Sequence, residues 1–319
     1  MNYRILGKTN LKVSEIGFGA WAIGGGMWGK TDDEVSLKAL RRSLDLGVNF
    51  IDTAAVYGKG HSEQLIAKVY RERKGKFFVA TKIPPKNWQW PAKKGTPIKE
   101  AFPADWIREQ TEKSLRNLKM ECVDLQQLHV WAPNWVKEND WYETLLKLKQ
   151  EGKIRFIGVS LNDHAPDEAL ELVQSGMADS VQVIYNIFDQ SPEDRLFLLC
   201  KEKNVGVIAR VPLDEGSLTG KFTKDKVFEE GDWRRDYFSP DILKETVERV
   251  EKLKFLVSGE IKSLTVGALK FCLSHPTVST VIPGIRSIQQ AEENISSSDG
   301  NLLSKELLEK LKTFRWVRD

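Results

Sequence analysis

Short apolar runs alternate with amphipathic stretches along almost the whole chain. Eight runs read as strands: residues 16–18, 49–52, 77–81, 123–128, 156–159, 181–184, 206–209 and 279–282. The stretches between them carry helix-start signals. Thr31-Asp-Asp-Glu34 has the form of a capping box, followed by Leu37, Leu40 and Leu44 on one face. Ser191-Pro192 and Ser239-Pro240 each place a cap residue before a proline at the first helical position, and Leu196, Leu199 and Cys200 line one face after the former. Ile107, Thr111, Leu115 and Leu118 form a further stripe. Ahead of all this, Tyr3 to Val13 reads as two short strands around Gly7-Lys-Thr-Asn10. Apolar strands separated by helices mean a parallel sheet covered on both faces. Eight such units predict an α/β fold, a (β/α)8 TIM barrel with a short N-terminal β-hairpin. A doubly wound open sheet is the competing arrangement. No Pro/Gly/Ser-rich linker cuts the chain, so residues 1–319 are expected to form a single domain.

Two connections are long, 82–102 after the third barrel strand and 210–239 after the seventh. Both leave the strand ends where such barrels place their active sites, and long loops in compact domains are often functional. Gly17-Phe-Gly-Ala-Trp-Ala22 matches the G-x-G-x-x-A dinucleotide fingerprint and follows a strand. The next residues, Ile23-Gly-Gly-Gly-Met-Trp-Gly29, do not open a helix, so the helix N-terminus that the fingerprint needs is missing. This stretch reads as a loop above the first barrel strand.

Composition narrows the function. The 319 residues are 41% hydrophobic and 29% charged, with 48 Lys+Arg against 45 Asp+Glu. A net charge of +3 without a concentrated basic stripe argues against a nucleic-acid partner. No long apolar run suggests a membrane partner. Cys122, Cys200 and Cys272 are too scattered for a disulfide framework or a zinc cluster, so no metal is expected and a reducing, cytoplasmic setting fits best. Nothing in the pattern specifies an oligomeric state.

One constellation stands out. Asp52, Lys82 and His129 fall at the ends of the second, third and fourth barrel strands, and Tyr57 follows Asp52 by one short loop. Singly, each has a structural explanation as cap, strand end, core histidine or loop packing. A barrel brings all four to one rim. A glycosidase would need a second carboxylate across the cleft. A metal hydrolase would need a histidine-rich rim, and of His61, His129, His164 and His275 only His129 sits clearly at a strand end. Trp21, Trp28, Trp88, Trp90 and Trp131 all lie just beyond strand ends and suggest an aromatic-lined substrate pocket.

Along its length the chain resembles the aldo-keto reductase family. The motifs are Leu11-Lys-Val-Ser-Glu-Ile-Gly-Phe-Gly19, Asn49-Phe-Ile-Asp-Thr-Ala-Ala-Val-Tyr-Gly58, Ala80-Thr-Lys82, Asp124-Leu-Gln-Gln-Leu-His129, Ile157-Gly-Val-Ser160, Gln182-Val-Ile-Tyr-Asn186, Leu218-Thr-Gly-Lys221 and Ile282-Pro-Gly-Ile-Arg286 with Glu293-Asn294. The resemblance implies a barrel that binds NADP(H), less readily NAD(H), and interconverts aldehydes, ketones or sugars with their alcohols. It implies Asp52, Tyr57, Lys82 and His129 as the catalytic tetrad. Tyr57 would be the general acid and base, its pKa lowered by the Lys82 ammonium, with Asp52 fixing Lys82 and His129 orienting the substrate oxygen. Cofactor contacts carry over to Gly19, Ala20 and Trp21 at the nicotinamide ribose, and to Ser160, Gln182 and Asn162 at the carboxamide. They continue with Val211, Leu213 and Glu215 along the pyrophosphate, and with Gly284, Arg286, Gln290, Glu293 and Asn294 at the adenosine end, Arg286 on the 2′-phosphate. Two positions depart from the family. Leu161 stands where many members have Asn. Arg210 stands where many stack an aromatic ring on the nicotinamide; it would either stack in that ring's place or pair with Asp214 or Glu215. The alternative to an enzyme is an NADPH-binding regulatory, redox-sensing or channel-associated subunit with little turnover.

Overall fold

The computed structural model describes residues 1–317. Strands β1 (Tyr3–Ile5) and β2 (Lys12–Ser14) pair antiparallel as the predicted hairpin. The barrel strands follow: β3 (Phe18–Gly19), β4 (Phe50–Asp52), β5 (Phe78–Ile83), β6 (Val123–Leu128), β7 (Ile154–Ser160), β8 (Ser180–Ile184), β9 (Gly206–Arg210) and β10 (Val278–Val281). All neighbours from β3 to β10 pair parallel in chain order. Parallel bridges Ile16↔Val281 and Gly19↔Gly284 join the two edges, and Gly17 donates its N–H to Val281 O at 2.8 Å. The sheet therefore closes, and the open-sheet alternative is excluded. Gly19 is needed for this closure, because a Cβ there would stand 2.7 Å from Ile282 O.

The covering helices are α1 (Asp33–Asp45), α2 (His61–Glu72), α3 (Ile98–Ala101), α4 (Ala104–Leu118), α5 (Asp140–Gln150), α6 (Leu170–Ser175), α7 (Leu196–Glu202), α8 (Arg234–Tyr237), α9 (Pro240–Glu251), α10 (Leu264–Ser274), α11 (Ile288–Ile295) and α12 (Lys305–Lys312). The α4 stripe is buried as expected. Two starts differ from the sequence reading. The cap of α1 is Asp32, which accepts from Val35 N, so the box begins one residue later than Thr31. Ser191 does not cap α7; it opens a 3-10 turn and hydrogen-bonds Asp189, and α7 begins at Leu196. Both long loops contain short helices, α3 in one and α8 in the other. No helix among the described residues is long and apolar enough to cross a membrane.

Side-chain alternation sorts the strand residues into two sets. Ile51, Val79, Val181, Val207 and Ala209 join the large cluster shared with the helices. Phe50, Ala80, Leu125, Ile208 and Ile282 instead pack with Leu6, Leu11 and Val13, so the hairpin plugs one end of the barrel. The plug is tied down by Arg4, which donates to Glu15 Oε1 (2.7 Å), Leu273 O (2.7 Å) and Val278 O (2.8 Å). Two residues beyond Phe50, Ala80, Leu125 and Ile208 come Asp52, Lys82, Gln127 and Arg210, at the opposite, open end.

Candidate active site

Because β5 runs on to Ile83, Lys82 lies inside the strand rather than at its tip, and its side chain is fully buried. The ammonium has three partners: Asp52 Oδ1 at 2.5 Å, Thr53 O at 2.9 Å and Tyr57 Oη at 3.2 Å. Asp52 Oδ2 accepts from Gln127 Nε2 (3.1 Å) and Gln182 Nε2 (2.7 Å). Buried charge is tolerable only when saturated in this way. Tyr57 opens the 57–60 turn, which is built on left-handed residues; a Cβ on Gly58 would stand 2.0 Å from Gly24 O, so no other residue fits there. The Tyr57 ring lies between Trp21, stacked at 5.8 Å, and His129, edge-on at 5.8 Å. His129 follows β6 and is anchored by its N–H to Ile83 O; its buried Nδ1 has no hydrogen-bond partner among the described residues. The sequence-derived four thus meet at one point.

Electrostatics alter one expectation. Burial raises the Tyr57 pKa, and this outweighs the downward pull of Lys82, so the phenol lies above rather than below its ordinary value. Burial disfavours the Lys82 ammonium too, but Asp52 and Tyr57 more than compensate and hold it protonated. His129 is pushed well below the ordinary histidine range by burial and then by the Lys82 and Arg210 charges, so it stays neutral and carries one N–H.

With Lys82 buried behind them, Asp52, Tyr57 and His129 line a cavity of about 1290 Å³ at the open barrel end. It is lined by Gly19, Ala20, Trp21, Ser160, Gln182, Val211, Leu213, Glu215, Gly284, Arg286 and Gln290 of the expected cofactor set. Glu293 and Asn294 lie on α11 behind that lining. Glu293 accepts from Ser263 Oγ at 2.7 Å, and Asn294 is buried with Nδ2 unpartnered among the described residues. Arg286 donates to Lys30 O at 3.0 Å, and its own N–H is held by Gln290 Oε1 at 2.7 Å.

Three placements differ from the sequence reading. Asn162 lines the cavity, but its amide is used up: Nδ2 donates to Trp131 O and Glu168 Oε2, both 2.8 Å, and to Ala92 O, while Oδ1 accepts from Ala92 N. It ties the 83–102 loop to the barrel and has no donor left for a carboxamide. Arg210 pairs with neither Asp214 nor Glu215. It donates to Asp163 Oδ1 at 2.6 Å and Leu161 O at 2.9 Å, with Nε buried and unpartnered among the described residues. Trp131 does not line the pocket; it is fully buried against Trp135 and Trp141 at 5.8 and 5.4 Å.

Sequence reasoning missed Gln127, the partner of Asp52. The signal was two adjacent glutamines in a wholly buried strand. It also missed Trp233, which stacks on Trp21 at 5.5 Å from the far loop. That loop crosses to the one above the first barrel strand: Trp28 bridges Asp232, and Arg234 stands 4.6 Å over the Trp28 ring. Strain marks the start of the same loop, with Val211, Asp214 and Glu215 all at positive φ (54°, 47° and 54°). Such outliers collect at functional sites.

A model of the Aldo/keto reductase family matches residues 15–315. The aldo-keto reductase YhdN of Bacillus subtilis (strain 168) is 32% identical over 92% of this chain and 87% of its own length. The uncharacterized oxidoreductase YqkF of the same organism is 30% identical over 98% of this chain and 96% of its own. Among solved structures, the glycerol dehydrogenase AKR11B4 from Gluconobacter oxydans superposes with a TM-score of 0.80 at 28% identity, over 98% of this chain and 94% of that one.

Proposed function

The chain belongs to the aldo/keto reductase family, and from that membership we propose an NADP(H) enzyme that interconverts an aldehyde, ketone or sugar carbonyl with its alcohol, Tyr57 being the proton donor and acceptor. As a family member it is a nicotinamide-dependent oxidoreductase acting on carbonyl compounds. One barrel domain over 1–319 is part of the same reading.

The single observation that carries it is the chain in which buried Asp52 and Lys82 hold half-buried Tyr57 at the cavity wall beside a neutral imidazole. Bound nicotinamide dinucleotide supplies the hydride for reduction and accepts it for oxidation. As hydride reaches the carbonyl carbon, its oxygen gains charge and takes the Tyr57 proton. Tyr57, raised by burial, is fully protonated at neutral pH and so is loaded for reduction. Lys82 stabilises the phenolate left behind, and solvent then returns the proton. His129 gives its one N–H to the same oxygen and orients it. Asp52 acts through Lys82 and is a positioning residue.

The chain's residues fit the dinucleotide. The cavity exceeds the ~300–1,000 Å³ usual for small-molecule sites. Arg210, which lines the cavity, has a buried Nε without an acceptor among the described residues, and a Cβ on Gly284 would meet nothing, so its backbone is open to a ligand. Arg286, prepositioned by Lys30 and Gln290, suits the 2′-phosphate that distinguishes NADP from NAD.

The test is Tyr57→Phe, assayed by NADPH oxidation with an aldehyde, ketone and sugar panel. Turnover should fall ~10²–10⁴-fold with NADPH affinity nearly unchanged. Turnover within a few-fold of wild type would remove Tyr57 from the role. A wild type that binds NADPH tightly yet turns over none of the panel would favour the regulatory-subunit reading instead.

A further inference from the structure

The substrate half of the cavity combines an aromatic wall with charge of one sign. Trp88 and Trp90, from the 83–102 loop, remain 62% and 43% exposed at the mouth. Their rings lie 5.9 Å apart, and Trp90 stands edge-on to His129 at 5.5 Å. Lys59 and Lys113 line the same side. Lys59 is displayed from the Tyr57 turn in a left-handed conformation (φ 56°). Its neighbour Gly60 abuts α4: a Cβ there would stand 2.5 Å from Asn117 Nδ2. Lys113 lies one turn before Asn117 on α4, so the two lysines stem from neighbouring stretches of backbone, and both line the cavity.

No acid answers them. Neither lysine makes an ion pair among the described residues. Of the acids lining the cavity, Asp52 is consumed by Lys82, Gln127 and Gln182, Asp163 pairs with Arg210 at 2.6 Å, and Glu215 belongs to the 210–239 loop. Glu112 is turned to Lys153 at 2.7 Å, Asp105 faces Lys86 at 3.7 Å, and Glu109, one turn before Lys113, does not line the cavity. The loop bearing the tryptophans adds to the imbalance, with Lys86, Lys93, Lys94 and Lys99 against Glu100 alone between 84 and 101.

We propose that the substrate is an anionic carbonyl compound: an apolar, planar body that lies on Trp88 and Trp90, with a carboxylate at the end remote from the reacting carbonyl, held by Lys59 and Lys113. The proposal rests on the carbonyl-reductase reading of the cavity. The planar body gains from indole contact, the carboxylate from two cations that have no other partner, and the carbonyl is delivered to His129 and Tyr57. Reduction is then the ordinary step. Hydride from the nicotinamide forms the new C–H bond, Tyr57 supplies the O–H proton, and the carboxylate is unchanged.

Two isosteric probe pairs test this: 4-formylbenzoate against 4-formylbenzamide as substrates, and benzoate against benzamide as ligands of the NADPH-loaded protein, read by tryptophan fluorescence. The acid should be preferred in both, each lysine contributing up to about fivefold. The preference should shrink as salt is raised, because the pairs are exposed. In the Lys59→Asn/Lys113→Gln double variant the acid-to-amide ratio should approach one; asparagine tolerates the left-handed position. Equal handling of acid and amide by the wild type, or an undiminished ratio in the double variant, overturns the proposal, and a better neutral sugar would replace it. Benzoate preference without turnover of either aldehyde would uphold the anion site and defeat the reductase reading.

Discussion

The two ends of the barrel are made by the same strands and behave differently. At the plugged end Phe50, Ala80, Leu125 and Ile208 meet apolar residues of the hairpin. One pleat further, without changing face, the strands present Asp52, Lys82, Gln127 and Arg210. Burying the first set releases apolar surface from water and stabilises the fold. Burying the second set costs desolvation, recovered only in part by mutual hydrogen bonds. The comparison separates what holds the barrel together from what the barrel is held together to present. Left-handed backbone occurs at both ends, at Asn10 in the hairpin plug and at Lys59, Val211, Asp214 and Glu215 in loops at the polar end.

The sharpest way to break the polar end is Lys82→Met. It should abolish turnover, ~10²–10⁴-fold or more, because Tyr57 loses the cation that stabilises its phenolate. It should also cost about 3–5 kcal/mol, because Asp52 is left buried without its counter-charge. Adding Asp52→Leu removes the stranded charge. The double variant should regain most of that stability in urea unfolding and remain inactive. Restored activity, or a double variant no more stable than the single, would contradict this division of labour. The apolar end gives the converse result. Leu125→Ala should cost about 2–5 kcal/mol by opening a cavity against the plug. Turnover per folded molecule should stay near wild type, as measured on active-site-titrated protein well below the unfolding transition.

The same contrast accounts for what was readable in the sequence. Alternation within strands and spacing between them gave the eight units, because apolar periodicity is a local property. The tetrad was readable because strand ends converge in any closed barrel, whatever the loops do. What failed depended on contacts between loops. Asn162 follows Ser160 by two residues, yet its amide is captured by Ala92, Trp131 and Glu168, none of them near it in the chain except Glu168. Trp131 follows His129 by two residues, yet a helical neighbour, Trp141, draws it into the core. Arg210 finds Asp163, 47 positions away, before the closer acids of its own loop. The Tyr57 pKa failed for another reason: its charged neighbour was visible in the sequence, whereas the extent of burial was not.

Within the polar end, Arg286→Ala sharpens the boundary between cofactor grip and chemistry. It should weaken NADPH about ten- to a hundredfold, the ~1.5–3 kcal/mol of a charge-assisted contact, and leave NADH nearly unaffected. Fluorescence titrations with both cofactors read this directly; equal losses would place the 2′-phosphate elsewhere.

The smallest effect expected is a pH dependence of cofactor affinity set by Glu215. Its carboxyl is pushed up to about 8 by burial first, then by Asp214 and Asp163, against the opposing pull of Arg210 and Arg234. At neutral pH it is therefore mostly protonated, and it lines the cavity in the loop we propose for the pyrophosphate. A neutral carboxyl donates to a phosphate oxygen; a carboxylate repels it. Affinity for NADPH should hold below pH 8 and fall above it. Between pH 7.5 and 9 the loss should reach several-fold and no more than about tenfold per unit, since one proton is involved. Phosphate monoesters titrate near ~6 and are constant over this window. Stability supplies an independent reading of the same group. A carboxyl whose pKa rises from 4.5 unfolded to about 8 folded contributes stability that is full below 4.5 and is lost as pH climbs through 8. In Glu215→Gln both dependences should flatten, with NADPH affinity at pH 9 close to that at pH 7.5. A wild-type dissociation constant flat across the window, or a slope that survives in the glutamine variant, would show that Glu215 does not face the bound cofactor.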